Sequence, residues 1–191
     1  MIRLRERSQR LLVVVGASGA GKDSVIGAWL ESLPPQQRPH RARRTITRAA
    51  GDTSEAHEAL DDAAFRAARA GGAFAFAWQA HGLHYGIRWT ELAPLERGDW
   101  VVMNGSRAHL PTLRALAPGA RVVEISAPDD LRDARLVSRA REARALLPSR
   151  LSRRVPDSAA DLHIANDTAL AVAAARLGEW WWRLDSLATS R

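Results

Sequence analysis

Short, uninterrupted apolar runs alternate along the chain with amphipathic and polar segments. The first run is Leu11–Val15, and similar runs occupy Trp100–Met103, Val122–Ile125 and Leu162–Ala165. Runs this short and this apolar are typical of strands that are buried on both faces of a parallel sheet. Their alternation with helical segments predicts an α/β domain in which helices flank a parallel sheet.

Helices are predicted between these runs from the spacing of apolar residues and from flanking Pro and Gly. The predicted ranges are about 22–32, 61–70, 107–116 and 129–147, with a further strand at 74–78 and turns at Gly82 and Gly86. In the last segment, apolar residues recur every three or four positions, which predicts a helix that packs along one stripe. This stripe comprises Leu170, Ala173, Leu177, Trp180, Leu184 and Leu187. Trp181 and Trp182 lie off it, which indicates partial cover for a neighbouring helix or, if the pair is exposed, a contact in a homodimer.

Two polar stretches, 40–88 and 130–156, interrupt this pattern, and residues 40–58 lack a core pattern altogether. Ligands of open α/β sheets bind beyond the carboxyl ends of the strands, so we interpret both stretches as insertions over that edge. No repeat or linker divides the chain, and one domain over residues 1–191 is expected. Its core would comprise residues of about 11–39, 89–129 and 157–187.

Composition narrows the class of protein. Apolar residues make up 46% of the 191 residues, and the absence of Cys excludes a disulfide scaffold, a thiolate nucleophile and Cys-based zinc sites. No apolar run approaches the roughly 20 residues of a membrane span. The run Leu11–Val15 is also shorter than the roughly 7–15 apolar residues of a signal peptide, so we expect a cytoplasmic protein.

Basic residues outnumber acidic ones by 28 to 21, which gives a net charge of +7. The excess indicates an anionic partner such as nucleic acid, a membrane surface or a phosphorylated small molecule. An arginine-rich composition on a solvated surface explains it equally well. All but one of the basic residues are Arg, and the single lysine is Lys22. A lysine retained in such a chain indicates a position that Arg cannot fill.

Lys22 closes a phosphate-loop motif. Residues 16–22 read Gly-Ala-Ser-Gly-Ala-Gly-Lys, which matches G-x-x-x-x-G-K between a predicted strand and a predicted helix. Glycines let successive N–H groups turn towards phosphate oxygens, and the helix N-terminus adds its positive end. Lys22 can reach the β- and γ-phosphates as a compact point charge. The residues expected to bind the triphosphate are Gly16, Ala17, Ser18, Gly19, Ala20, Gly21, Lys22, Asp23 and Ser24.

Asp23 departs from the usual motif. The position after the lysine normally carries Ser or Thr, whose hydroxyl binds Mg²⁺, whereas here Asp23 is followed by Ser24. A carboxylate beside a triphosphate is repelled unless a cation lies between them, so Asp23 is predicted to hold Mg²⁺ directly or through water. The alternative is an acidic residue that the helix dipole favours in the first turn.

The order of the remaining motifs resembles the guanylate-kinase group of small P-loop kinases. These motifs are Thr45–Arg48, Gly82–Gly86, Arg135–Arg139, Arg150–Leu151 and Asn166–Asp167. With the phosphate loop, the resemblance covers residues 11–185. It implies a guanylate-kinase-like P-loop fold with ATP as the donor, an acceptor-binding region at about 40–88 and a lid at about 130–156. It also places Asn166 in the ATP site.

The resemblance implies roles for five further side chains. Arg48 and Tyr85 would bind the phosphate of the acceptor. Arg135, Arg139 and Arg150 would act catalytically with Lys22, as a lid that closes over the γ-phosphate and stabilises charge in the transition state. Arg135 and Arg139 lie four residues apart, so both can point into one site, although a solvated helix face is the alternative.

Departures from the guanylate kinases concern the acceptor. Guanylate kinases recognise guanine with one Ser and two acidic residues, and the corresponding positions here are Arg44, Phe76 and Ser106. A second phosphate-binding Arg of that group is replaced here by Gly51. Without carboxylates, the N–H groups of guanine lack acceptors, at a cost of roughly 1–3 kcal/mol per group. Asn104 replaces the Asp that ends the third strand of the group. The acceptor is therefore expected to be something other than GMP, with additional negative charge.

These departures resemble one subgroup, the ribose 1,5-bisphosphate phosphokinases of bacterial phosphonate breakdown. The shared segments are Gly21–Ser24, Arg44–Arg48, Ser54–His57 and Asn104–Pro111, and the last has no equivalent in guanylate kinases. The resemblance implies that ATP, with Mg²⁺, phosphorylates the 1-phosphate of ribose 1,5-bisphosphate to give 5-phospho-α-D-ribosyl 1-diphosphate.

Acceptor contacts follow from residue chemistry, because a small acceptor with two phosphates and no base needs arginines rather than base-reading side chains. Arg44, Arg48 and Arg107 are assigned to the two phosphates, and His57, His81 or Asn104 to ribose hydroxyls. Glu55 is a further candidate, although Glu55 and His57 could equally be solvated loop residues.

Two other functions stay open. A kinase for GMP is disfavoured by the missing acids at positions 76 and 106. A non-catalytic guanylate-kinase-like binding module typically lacks the phosphate loop that this chain retains. Nucleic-acid binding would require a basic stripe with stacking aromatics, whereas the arginines here cluster in the two insertions among acids. We therefore expect small-molecule partners, with neither nucleic acid nor membrane.

Replacing Lys22 with Arg tests the significance of the single lysine. The Lys22→Arg variant preserves the charge, but its planar guanidinium does not fit between two phosphates, so phosphoryl transfer should fall by roughly 100-fold or more. Initial rates of ATP-dependent phosphorylation would measure the loss. A variant that works nearly as well as the parent would contradict the role assigned to Lys22.

Overall fold

The computed structural model of the chain describes residues 4–48, 57–143 and 160–189. Its strands are β1 (Leu11–Val15), β2 (His40–Arg41), β3 (Arg44–Ile46), β4 (His57–Ala59), β5 (Phe74–Ala80), β6 (Leu83–Arg88), β7 (Val101–Asn104), β8 (Arg121–Ser126) and β9 (Leu162–Ala165). Its α-helices are α1 (Leu4–Arg7), α2 (Lys22–Ser32), α3 (Asp62–Ala70), α4 (Leu110–Leu116), α5 (Asp129–Ala143) and α6 (Leu170–Thr189). Short 3-10 turns connect several of them.

A five-stranded parallel sheet forms the centre of the fold, in the order β2-β7-β1-β8-β9. This confirms the predicted α/β class and the strands predicted from the apolar runs. β1 lies in the middle, and all five of its residues are buried. Leu12 and Val14 pack on the α2 and α6 side, whereas Leu11, Val13 and Val15 pack on the opposite side. Burial of successive residues on both faces explains why the run is continuously apolar.

A second sheet of four strands, in the order β4-β3-β6-β5, was not predicted from the sequence. β3 pairs parallel with β4 and antiparallel with β6, which is antiparallel to β5. The turn predicted at Gly86 is wrong, because Gly86 lies within β6 and pairs with Thr45 and Ala77. The ring of Phe74 fills the space beside it: a Cβ at Gly86 would lie 2.6 Å from that ring. Glycine is therefore required here by a neighbouring side chain, not by a turn.

Several helix boundaries also differ from the predicted ones. The segment predicted as one helix over 107–116 begins as a 3-10 turn at Arg107–His109, and α4 starts only at Leu110. Asp61 caps α3, and its side chain accepts a hydrogen bond from the Ala64 N–H.

None of the helices in the described ranges is long and apolar enough to cross a membrane.

The stripe predicted for α6 is confirmed at Ala173, Leu177, Trp180 and Leu184, which are buried or pack half-buried against the core. It is wrong at Leu170 and Leu187, which are 40% and 68% exposed, and at Trp181, which was predicted to lie off it. Trp181 is buried and packs edge-on against Trp29, with ring centroids 5.5 Å apart, and against Trp100 at 6.1 Å. Trp180 is only half-buried, and Trp182 is 49% exposed. The buried positions Ala174 and Trp181 widen the predicted stripe by one residue beside Ala173 and Trp180.

Truncating the two neighbouring tryptophans should have unequal effects on stability. Trp181→Ala removes a buried ring from the core and should lower the free energy of unfolding by about 3–5 kcal/mol. Trp182→Ala, the matched control, removes an exposed ring and should cost less than about 1 kcal/mol. Urea denaturation followed by circular dichroism would measure both. Equal losses would contradict the assigned helix face.

Candidate functional site

The phosphate loop lies at the carboxyl end of the central strand. Gly19 and Gly21 have positive φ angles of 81° and 85°, a left-handed conformation that turns the loop back towards α2. α2 then begins at Lys22, whose ammonium donates hydrogen bonds to the Gly16 and Ala17 carbonyls, each at 3.0 Å. The lysine is thus tied to the loop at the start of a helix, the arrangement predicted from the motif.

Close contacts from three other segments fix the shape of the loop. A Cβ on Gly16 would stand 2.0 Å from the Ile125 carbonyl oxygen, and one on Gly19 would stand 2.8 Å from the Arg132 carbonyl oxygen. At the third glycine, a Cβ on Gly21 would meet the Asn166 amide nitrogen at 2.4 Å. The contacts at Gly16 and Gly19 are with backbone atoms, so glycine is required there, whereas a Cβ at Gly21 would displace the Asn166 side chain. β8, α5 and the segment after β9 therefore all lie against the loop.

Asn166 and Arg135 join the loop by hydrogen bonds. Asn166 is 4% exposed, and its side-chain amide donates to the Ala20 carbonyl at 2.9 Å. Arg135 donates to the Asn166 carbonyl at 3.2 Å and to the Gly19 carbonyl at 3.5 Å. Both residues therefore lie beside the loop, and their roles in binding ATP and in catalysis stay predictions. Arg139 belongs to α5, but its side chain, like all of Arg150, lies outside the described residues.

An open cleft extends from the phosphate loop to the second sheet. The loop residues that line it are Gly16, Ser18, Gly19, Gly21, Lys22 and Asp23, and the facing residues include Arg44, Arg48, Trp78, His81, Tyr85, Asn104 and Ser106. Three of the expected loop residues do not line the cleft: Ala17, the buried Ala20, and Ser24, which is exposed on α2. The cleft thus brings Lys22 and Asp23 of the loop together with the predicted acceptor residues Arg44, Arg48, Tyr85 and Asn104.

Stacked aromatic rings form one wall of the cleft. The Tyr85 and Trp78 rings are nearly parallel, with centroids 5.5 Å apart, and His109 stacks on Trp78 at 5.6 Å. The Arg44 guanidinium lies 5.7 Å from the centroid of the Tyr85 ring. Burial lowers the pKa of His109, which favours its neutral form within the stack. This wall holds Arg44 against a rigid surface.

Asp23 occupies the boundary between the loop and the acceptor side. Its Oδ1 accepts a hydrogen bond from Arg41 at 2.9 Å, and its Oδ2 accepts one from Asn104 at 2.9 Å and one from Arg44 at 3.4 Å. Burial alone would raise its pKa, but Arg44, the Asn104 hydrogen bond, Lys22 and Arg41 together lower it. Asp23 is therefore ionised at neutral pH.

This arrangement does not fit direct coordination of Mg²⁺ by Asp23. Both carboxylate oxygens already accept hydrogen bonds, and a divalent cation placed on them would stand against the Arg41 and Arg44 guanidinium groups. No group of three or more His, Asp or Glu side chains elsewhere in residues 4–48, 57–143 and 160–189 could hold a metal ion. Coordination through a water molecule stays a prediction.

Two predicted acceptor contacts lie away from the cleft. Arg107 forms an ion pair with Glu124 at 3.3 Å and is not among the residues that line the cleft. His57 lies on β4 in register with Arg44, one strand from the cleft. Glu55 lies outside the described residues.

Arg41 and Trp78 are the residues near the site that the sequence did not indicate. Arg41 is one of many arginines, and only the fold reveals its bond to Asp23. Trp78 was predicted to lie on a strand, but its stacking on Tyr85 depends on the pairing of β5 with β6, in which the two residues are opposite each other. A hairpin signal around Gly82 could have suggested that pairing.

Comparison with known proteins identifies the family, although no family model matches the chain. The ribose 1,5-bisphosphate phosphokinase PhnN of Brucella melitensis is 42% identical over 144 residues, which are 75% of this chain and 75% of that protein. The enzyme of the same name from Agrobacterium fabrum is 41% identical over 143 residues, 75% of this chain and 78% of that protein. The chain belongs to the ribose 1,5-bisphosphate phosphokinase family.

Some members of this family are much longer than the present chain. The bifunctional ribose 1,5-bisphosphokinase-thymidine phosphorylase of Azorhizobium caulinodans is 43% identical over 158 residues, which cover 81% of this chain but 23% of that protein. Janthinobacterium PhnN is 45% identical over 146 residues, 76% of this chain and 32% of that protein. The chain therefore spans about a quarter to a third of these relatives.

A solved guanylate kinase confirms the predicted fold. The enzyme from Anaplasma phagocytophilum superposes with a TM-score of 0.65 over 92% of this chain and 84% of its own, at 18% sequence identity. The guanylate-kinase-like P-loop architecture is thus shared, at a sequence similarity too low to carry residue roles.

The substitution Gly21→Ala tests how tightly Asn166 constrains the phosphate loop, and Gly98→Ala is the matched control. Both glycines have φ near +80°, so each substitution should cost about 1–2 kcal/mol of backbone strain. A Cβ at Gly98 meets nothing within 4 Å, whereas at Gly21 it displaces Asn166 from the Ala20 carbonyl. Gly21→Ala should therefore lower the free energy of unfolding by an additional 1–3 kcal/mol or so. Equal destabilisation in urea titrations would contradict the tight contact.

Proposed function

We propose that the chain transfers the γ-phosphoryl group of ATP to the 1-phosphate of ribose 1,5-bisphosphate. An oxygen of the 1-phosphate bonds to the γ-phosphorus, and the bond between that phosphorus and the β–γ bridging oxygen breaks. The products are ADP and 5-phospho-α-D-ribosyl 1-diphosphate. The names of the relatives at 41–45% identity support this acceptor.

The observation that carries the proposal is the composition of the cleft. The phosphate loop and the two arginines Arg44 and Arg48 line one space, and Asp23 is the one carboxylate among the described residues that line it. Phe76, at a position where a guanine-reading acid is expected in guanylate kinases, is 1% exposed within the core. The cleft therefore offers cations for phosphates and no carboxylate pair for a guanine base.

On the donor side, the phosphate loop would bind the β- and γ-phosphates through its N–H groups and Lys22. Two loop carbonyls hold the Lys22 ammonium at the helix N-terminus. From there the ammonium would stabilise the negative charge that develops on the leaving oxygen during phosphoryl transfer. Arg135, which donates a hydrogen bond to the Gly19 carbonyl, would contact the γ-phosphate. We assign Arg139 and Arg150 to the same lid on the family resemblance alone.

On the acceptor side, Arg44, Arg48 and Tyr85 would bind the phosphates, and Asn104 a ribose hydroxyl. Arg44 is rigidly held by Tyr85 and Asp23, so a phosphate would meet a preoriented guanidinium. Arg107 can serve as a phosphate ligand only if it leaves Glu124, which is 12% exposed at its side chain. We therefore rank Arg107 below Arg44 and Arg48. His57 and Glu55 stay candidate contacts.

Mg²⁺ is expected to enter the site with ATP. Magnesium in kinases is bound mainly by substrate phosphates and water, with one or two carboxylates at most, and it neutralises charge on the β- and γ-phosphates. The contacts of Asp23 leave direct coordination by this residue unsupported. The cytoplasmic location, the absence of nucleic-acid partners and a homodimer through the exposed Trp182 also stay predictions.

Product analysis tests the proposed function. The pure protein is incubated with ATP, Mg²⁺ and either ribose 1,5-bisphosphate or GMP, and the products are followed by phosphorus NMR. We expect a coupled pair of diphosphate resonances from the ribose substrate, together with ADP. The Lys22→Arg protein under the same conditions controls for a contaminating kinase.

Each alternative function predicts a different outcome. Turnover of GMP alone would identify a nucleoside-monophosphate kinase. Turnover of neither acceptor would favour a non-catalytic binding module.

A further inference from the structure

The contacts of Asp23 join four elements of the fold. Asp23 lies in the first turn of α2, and its partners lie on β2 (Arg41), β3 (Arg44) and β7 (Asn104). β2 and β7 belong to the parallel sheet, whereas β3 belongs to the second sheet. One carboxylate therefore links the phosphate loop to both sheets at the cleft.

We propose that Asp23 is a positioning residue of the acceptor site, which orients the Arg44 guanidinium and the Asn104 amide towards the acceptor. The inference rests on the proposed function. It gives the unusual residue of the phosphate loop a role in recognising the acceptor rather than in binding metal.

The charge distribution supports this role. An ionised carboxylate repels a polyanionic ligand, so in a cleft that binds polyanions it lowers affinity unless it also orients the groups that bind the ligand. Asp23 stands next to Lys22 and contacts Arg44, whose side chain is 12% exposed. A long arginine side chain loses rotamer freedom when it binds a phosphate. Asp23 and the Tyr85 ring have already fixed Arg44, so less freedom is lost on binding.

The orientation of Asn104 supplies a second, independent observation. An ionised carboxylate only accepts hydrogen bonds, so Asn104 must turn its Nδ2 towards Asp23 and its Oδ1 away from it. Asn104 is 5% exposed and lines the cleft, and its Oδ1 has no hydrogen-bond partner among the described residues. An unpaired buried oxygen suits a hydroxyl donor and repels a phosphate oxygen.

Together, the two contacts distinguish two kinds of group on one substrate. Asp23 orients the Arg44 guanidinium towards the place where a phosphate of the substrate would bind. It also orients Asn104 so that its Oδ1, a hydrogen-bond acceptor, can receive a hydroxyl of the substrate. A sugar bisphosphate offers both groups. Arg44 and Asn104 both contact Oδ2 of Asp23, whereas serine at position 23 has a side chain one atom shorter and no charge to attract Arg44.

Steady-state kinetics of Asp23→Ser tests the proposal. Serine is the residue type usual at this position of the motif, so the phosphate loop should keep its fold. We expect the KM for ribose 1,5-bisphosphate to rise at least 10-fold. The KM for ATP should stay within twofold of the parent value. The Mg²⁺ concentration that gives half-maximal rate should rise no more than twofold, because the serine hydroxyl is itself the usual Mg²⁺ ligand at this position. Asp99→Asn, which breaks the exposed ion pair with Arg97 outside the cleft, should leave all three values unchanged.

The opposite pattern would overturn the proposal. If Asp23→Ser raises the Mg²⁺ requirement and leaves the acceptor KM unchanged, Asp23 acts on the metal. If it changes neither, Asp23 is only a favourable residue of the first helical turn. Should Asp23→Ser fail to fold, as judged by circular dichroism, the isosteric Asp23→Asn replaces it with the same expected directions.

A double-mutant cycle tests whether Asp23 acts through Arg44. Arg44→Met should itself raise the acceptor KM. If Asp23 orients Arg44, the increase in the Asp23→Ser/Arg44→Met protein should fall at least threefold short of the product of the two single increases. Increases that simply multiply would mean that Asp23 does not act through Arg44, and would overturn this part of the proposal.

Calorimetric titration of ribose 1,5-bisphosphate without ATP separates this proposal from the proposed function. A parent protein that binds the sugar phosphate but does not phosphorylate it would refute the function. The proposal would then be supported by a Kd at least 10-fold weaker in Asp23→Ser and contradicted by an equal Kd. A parent protein that does not bind it would overturn both.

Discussion

The rest of the site depends on the close approach of other segments to the phosphate loop. Gly16, Gly19 and Gly21 leave no room for a side chain, because β8, α5 and Asn166 lie directly against them. These contacts hold the loop N–H groups and Lys22 in one arrangement at the end of the most buried strand. Preorganisation of this kind is what phosphoryl transfer requires, since its catalysis consists mainly of positioning and charge neutralisation.

Charge is arranged around this loop in a definite order. Lys22 lies at the donor end, Arg44 and Arg48 line the opposite side, and Asp23 stands between them. The net charge of +7, which by itself indicates only an anionic partner, thus includes a few arginines directed at one cleft. Other arginines have structural tasks: Arg88 binds Glu58 through two hydrogen bonds of 2.6 and 2.8 Å, which lower the pKa of that carboxyl and link β6 to β4.

Much of the central fold could be predicted from the sequence, and the second sheet could not. The apolar runs of the parallel sheet are visible because those strands are buried on both faces, as in β1. β3 and β4 have three residues each and contain polar residues such as Thr45 and Glu58, so no period identifies them. Their pairing depends on contacts distant in the chain, among them the 2.6 Å hydrogen bond from Thr45 to Glu58.

The candidate site could likewise be predicted only in part from the sequence. The phosphate-loop motif placed Lys22 correctly, because motif residues are adjacent in the sequence. The partners of Asp23 are 18 to 81 residues away from it, and no local pattern reveals them. For the same reason Asp23 was predicted to bind metal from the chemistry of its neighbours in the chain, whereas its neighbours in space are two arginines and an amide.

The central claim is that this cleft recognises a base-free sugar bisphosphate. The ratio of kcat/KM for ribose 1,5-bisphosphate to kcat/KM for GMP, measured at saturating ATP and Mg²⁺, tests it most directly. The missing guanine-reading carboxylates and the preoriented Arg44 predict a ratio of about 100 or more. A ratio near or below one would contradict the account.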